Sequence, residues 1–236
     1  MGNDTDVILE EINGLGLIRL NRPQSLNALT KDMLNCLNNT LAKWSGREEI
    51  EAVLTRGDRA FCAGGDVKAM CSDQATSDER AAFCRVEYSY NRRLFRFSKP
   101  HIALMDGVTM GGGLGISVHG SHRVVTERTL CAMPETGIGL FPDIGASYVL
   151  PRCPGMVGLY LALTGVSLNA ADSLYAGLAT HTVPSQKLGV LEEALISAGS
   201  LDRDEVEKII SCFSEDLGRA QLDELQTVID RCFDAD

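Results

Sequence analysis

The chain alternates short apolar runs with longer stretches in which apolar residues recur every three or four positions. Leu15 to Leu20 is an apolar run preceded by Gly14 and closed by Asn21, Arg22 and Pro23, which predicts a strand running into a turn. From Thr30 to Trp44 the apolar residues Met33, Leu34, Leu37, Leu41 and Trp44 fall at helical spacing, so an amphipathic helix with Thr30 as N-cap is expected. Ala52 to Thr55 predicts a second strand, about Glu79 to Phe97 a second helix, and His101 to Met105 a further strand. This strand, loop, helix order predicts an α/β layered domain whose strand ends feed loops into helix N-termini.

After Pro184 the pattern becomes purely helical. Asp202 and Glu205 have the spacing of a capping box, with Val206, Ile209, Ile210 and Phe213 on one face behind it. A last helix from Arg219 carries Leu222, Leu225, Ile229, Cys232 and Phe233, a stripe that needs a partner in earlier residues, another subunit or further chain. The expected division is a core over residues 1–184 and a partial helical region over 185–236.

Composition narrows the chemistry. The 236 residues are 44% hydrophobic, and 22 Lys plus Arg stand against 32 Asp plus Glu. The net charge of −10 argues against a nucleic-acid or membrane-surface binder, so an anionic ligand would need a local pocket of donors. No apolar run reaches the ~18 residues of a membrane span, and the acidic start Met1 to Val7 lacks transit-peptide or signal character. A soluble intracellular protein is expected. Cys36, Cys62, Cys71, Cys84, Cys131, Cys153, Cys212 and Cys232 include no C-x-x-C pair, which disfavours zinc and suits small buried thiols in a reducing compartment.

Two glycine-rich segments follow strands: AFCAGGDV (Ala60 to Val67) and TMGGGLGISVHG (Thr109 to Gly120), the second leading into an apolar stretch that reads as a buried helix. Either they make tight turns, or each offers a backbone N–H to one ligand oxygen as an oxyanion hole. Neither spells a dinucleotide or phosphate-loop motif. Glu135 and Asp143 lie eight residues apart in MPETGIGLFPDIGASYVLP, among Gly, Pro and apolar neighbours that would desolvate a carboxylate and raise its pKa. They read either as loop acids or as a pair for proton transfer or nucleophilic attack. Glu87, alone on its helix, reads as solvated. His119 and His122 have no third ligand in a metal pattern, and Ser117 lacks the final glycine of a nucleophile elbow.

Together, NRPQSLNAL, AFCAGGDV, KPHIALMDGVTMGGG and MPETGIGLFPDIGASYVLP resemble the enoyl-CoA hydratase/isomerase, or crotonase, family over most of Leu15 to Val183. The resemblance implies a spiral of ββα units with a helical C-terminal region, assembled as trimers or hexamers. It implies oxyanion-hole amides at Gly65 and Gly112, catalytic acids at Glu135 and Asp143, and substrate contact by Glu87, Gly112, Glu135 and Asp143. The substrate would be an acyl-CoA, coenzyme A being part of it rather than a cofactor, and no metal is expected. Hydratases of the family carry a glutamate at the position of Gly115, so its absence points to hydrolysis of a short branched 3-hydroxyacyl-CoA thioester. An isomerase or hydratase of the same fold, and a noncatalytic CoA-binding protein, are the competing readings. Family members of the hydrolase type continue well past the point matching Asp236, so a C-terminal truncation is expected. Mitochondria are the compartment the resemblance implies, with the cytoplasm as the alternative because no transit peptide is visible.

Overall fold

The computed structural model describes residues 6–67 and 76–234. Strands β1 (Val7–Ile12) and β2 (Leu15–Leu20) form an antiparallel hairpin. To it are added, all in parallel, β3 (Ala52–Gly57), β4 (His101–Met105), β6 (His122–Val125) and β8 (His181–Thr182), in the order β1-β2-β3-β4-β6-β8. A second, two-stranded parallel sheet joins β5 (Val108–Met110) to β7 (Leu130–Ala132). Parallel neighbours require crossovers. Helix α1 (Lys31–Ser45) supplies the one from β2 to β3, and α2 (Ser77–Phe95) lies in that from β3 to β4. The architecture is the expected ββα spiral.

The main sheet is buried on both sides, which explains why its strands read as apolar runs rather than as alternations. Ile18 and Leu20 of β2 point to one core, shared with Met33, Leu34, Leu37, Leu41 and Trp44 of α1. Leu15 and Leu17 point to the other, shared with α7 (Leu188–Ile196) and α8 (Arg203–Phe213). Thr30 caps α1 as expected, its Oγ1 accepting from Met33 N at 3.2 Å. Strand β1 escaped the sequence reading because it is an edge whose Glu10 and Glu11 face outward.

The complete capping box is at the start of α2, where Thr76 Oγ1 accepts from Glu79 N and Glu79 Oε2 accepts from Thr76 N at 2.8 Å. At α8 only half of the expected box forms: Asp202 accepts from Glu205 N at 2.9 Å, while the Glu205 carboxylate turns to Lys208. Val206 and Ile210 are buried as expected.

Helices α4 (Ala146–Val149), α5 (Val157–Thr164) and α6 (Ala170–Tyr175) follow the carboxylate segment, and α9 (Gln221–Phe233) packs across α5 and α6. Its inward stripe is buried Leu222 and Ile229 with half-buried Phe233, the last edge-on to Tyr160. Leu225 and Cys232, expected on that face, are exposed, because the contact follows 222, 226, 229 and 233 and Gln226 takes part through Tyr175 Oη at 2.8 Å. Buried Asp172 accepts from Leu222 N at 2.8 Å and so caps α9 from another helix. Asp172→Ala should cost about 1–2 kcal/mol, read as a lower urea midpoint at unchanged slope.

Cys62, Cys131 and Cys153 are buried, Cys36 and Cys84 half-buried, and Cys212 and Cys232 exposed, so the expectation of mostly buried thiols holds only in part; Cys71 lies outside the described residues. No helix among the described residues is long and apolar enough to cross a membrane.

Candidate active site

The first glycine turn is braced by the segment before α1. Buried Asn27 accepts from Arg22 N at 2.8 Å and donates to Ala60 O at 2.7 Å, and the Arg22 guanidinium pairs with Asp66. Leu29 N donates to Gly64 O at 2.7 Å and Asp66 N to Leu29 O at 2.9 Å, fixing the backbone on either side of Gly65. Gly64 has φ 102°, a conformation closed to a residue with a Cβ at acceptable strain.

The second turn is stitched to the first. Cys62 N donates to Val108 O and Met110 N to Cys62 O, both at 3.0 Å. A methyl group on Gly112 would sit 3.2 Å from Gly65 N. The Gly111 amide donates to Ala132 O, whereas those of Gly65 and Gly112 have no acceptor among the described residues. The helix that follows, α3 (Gly112–Gly115), is a single turn rather than the longer buried helix expected. A dipole built over many residues therefore contributes little, and the donor power of the site lies in the individual N–H groups.

Three carboxylates converge here from three elements. Glu135, from the loop after β7, is buried; a methyl on Gly111 would meet its Oε1 at 2.9 Å, and its Oε2 has no partner among the described residues. Its pKa is raised, first by burial and then by the charge of Asp143. Its sequence neighbours Ile138, Leu140 and Phe141 are themselves exposed, so the desolvation expected from them comes instead from the glycine turn packed across it. Asp143 is half-buried and accepts from Tyr88 Oη at 2.6 Å.

Glu87 overturns the reading of a solvated helix acid. It is 5% exposed, and its Oε1 lies 2.5 Å from where a methyl on Gly112 would be. Burial, then Asp143 and Glu135, push its pKa up to about 8. The signal was in the sequence: Phe83, Glu87 and Asn91 share one face of α2 at four-residue spacing, and all three are buried.

The remaining groups set the frame. Asn91 Nδ2 donates to Gly115 O at 3.0 Å and Ile144 O at 3.3 Å, joining the glycine turn to the Asp143 loop. His119 Nε2 lies 2.7 Å from Ile144 O, and Ser117 Oγ donates to Gly113 O, so both serve the backbone. His122 and His181 both face Glu207 of α8. At Gly115 a methyl would lie 2.7 Å from Asn91 Nδ2 and 3.0 Å from Ile144 Cβ, so the place where a hydratase would carry its glutamate is already filled.

A pH dependence of stability follows. Glu87 holds its proton more tightly folded than unfolded, so its contribution is complete below about pH 4.5 and is lost as the pH rises through about 8. Across that window unfolding should become easier by on the order of 4 kcal/mol. Denaturant titrations at pH 5 and pH 9 should show the decline, and Glu87→Gln should flatten it.

With the spiral fold and two paired glycine turns facing a set of carboxylates, the chain belongs to the enoyl-CoA hydratase/isomerase family, whose model matches residues 15–236. Among its relatives is the mitochondrial 3-hydroxyisobutyryl-CoA hydrolase of Danio rerio, 44% identical over 89% of this chain and 56% of the relative. The Homo sapiens protein of the same name is 42% identical over 98% of this chain and 62% of the relative. The chain thus spans little more than half the length of these relatives. A solved carnitinyl-CoA dehydratase from Mycobacterium thermoresistibile is 39% identical with a TM-score of 0.92, over 99% of this chain and 68% of that one.

Proposed function

We propose that this chain carries the catalytic core of a 3-hydroxyisobutyryl-CoA hydrolase, converting that thioester and water to 3-hydroxyisobutyrate and CoA in valine breakdown. The carrying observation is the set of three acids beside two amides that have no acceptor among the described residues, with no acid and no room for one at Gly115. Hydration of a double bond by this family's route uses a second glutamate at that position, and hydrolysis needs only an activated nucleophile and a stabilised oxyanion.

In this reading the thioester oxygen accepts from the N–H groups of Gly65 and Gly112, which strengthen as charge develops on it. Glu135 either removes a proton from water as the water attacks, or itself attacks to form a mixed anhydride that water then opens. In both routes the carbon–sulfur bond breaks and CoA leaves with the electron pair. Asp143, oriented by Tyr88, positions the water or the 3-hydroxyl group. Glu87 lines the same pocket. The route as proposed calls on no cofactor or metal.

Release of free thiol from 3-hydroxyisobutyryl-CoA tests the reading. Loss of enoyl-thioester absorbance without thiol release would favour an isomerase or hydratase, and binding without turnover a noncatalytic CoA-binding protein. We also propose a homo-oligomer, to which exposed Phe95, Phe141, Tyr148 and Leu159 offer contact surface, and mitochondrial residence in line with the relatives' names. Light scattering and imaging of the tagged chain test these two points.

A further inference from the structure

We propose that Glu87 works as a neutral carboxylic acid, donating a third hydrogen bond to the thioester oxygen beside the amides of Gly65 and Gly112. This rests on the hydrolase reading and assigns the buried acid a specific role within it. The geometry places one carboxyl oxygen at the junction of the two turns: the same methyl position on Gly112 is 2.5 Å from Glu87 Oε1 and 3.2 Å from Gly65 N. An oxygen that gains negative charge on those amides would form next to the Glu87 carboxyl. An ionised carboxylate there would oppose the charge, whereas a protonated one would stabilise it.

The surroundings keep the proton on. Glu87 is buried, and the titratable groups that face it among the described residues are Cys84 and Tyr88 on its own helix, Cys62 from the first glycine turn, Glu135 from the loop after β7 and Asp143 from the loop before α4. None of these is a cation, and two are carboxylates. A carboxylic acid held neutral by such a site becomes a donor rather than an acceptor. The elevated pKa of about 8 agrees with this at neutral pH. Division of labour among the acids follows: Glu135 and Asp143 handle proton and water, and Glu87 polarises the carbonyl.

The test compares kcat/KM for thiol release from 3-hydroxyisobutyryl-CoA against pH in the native chain, Glu87→Gln and Glu87→Leu. The native profile should fall on the acid side as Glu135 takes up a proton, and fall tenfold per unit above about pH 8 as the Glu87 donor ionises. Glu87→Gln keeps an N–H donor that does not ionise, so it should lose only several-fold at pH 7 and show no alkaline fall. Glu87→Leu should lose about a hundredfold or more. Independently of turnover, infrared difference spectra should show a protonated carboxyl band at pH 7 that fades above pH 8 and is missing from Glu87→Gln.

Three results would overturn the assignment: Glu87→Gln as inactive as Glu87→Leu although both melt as the native chain does, an alkaline fall that persists in Glu87→Gln, or a Glu87 carboxyl ionised at pH 7. Any of them beside a turning-over native chain removes the donor role alone. A native chain that releases no thiol removes the hydrolase reading, and this role falls with it.

Discussion

Glu135→Gln is expected to lower kcat for thiol release by about a thousandfold while leaving the folded state intact and somewhat more stable at neutral pH. The two effects have one origin. The Glu135 carboxyl is buried beneath the second glycine turn with one oxygen that has no partner among the described residues, so its ionised form is poorly solvated and more basic than an ordinary carboxylate. That basicity is what a proton acceptor or an attacking oxygen requires, and it is also a cost to the fold. Glutamine keeps the shape and removes the charge. A colorimetric thiol assay beside calorimetric melting would show activity and stability moving in opposite directions; full activity in Glu135→Gln would eliminate the residue from the mechanism.

Gly113→Ala should act on both quantities in the same direction. Its methyl group would stand 2.2 Å from Cys62 O and 3.0 Å from Cys62 C, and both are backbone atoms that no rotamer change can move aside. The two turns would have to separate, at about 3 kcal/mol or more. Because Gly65 and Gly112 sit on opposite sides of that seam, their amides would move apart as well. A displacement near 1 Å typically costs about a hundredfold in rate. A melting curve and the thiol assay on the same sample measure both, and an alanine variant with native stability would show that the seam can yield.

Much of this was readable before any coordinates. Helix α1, with its cap and all five of its core residues, followed from spacing alone, because a long element repeats its pattern often enough to identify itself. Strands β5 to β8 are too short for that: His181–Thr182 offers two residues, and only the neighbouring strand β6 makes it one. At the site, local composition points to the two glycine segments and to Glu135 and Asp143, the family resemblance narrows the glycines to Gly65 and Gly112, and the fold does bring these segments together. Glu87 taken as an isolated helix acid reads as solvated, whereas Phe83 and Asn91, one helical turn to either side, are buried with it. The apolar residues after Glu135 misled in the opposite sense, since adjacency in a loop does not imply packing: Phe141 is 73% exposed.

The Asn91 side chain spans the gap between Gly115 O and Ile144 O. It behaves as a spacer of fixed length between the wall that carries the donors and the loop that carries Asp143. In the hydrolase proposed above, the width left for the acyl group would then be gauged by an amide that itself performs no chemistry. Shorter or longer side chains at this one position offer a way to retune which acyl chain the pocket accepts while every carboxylate stays in place.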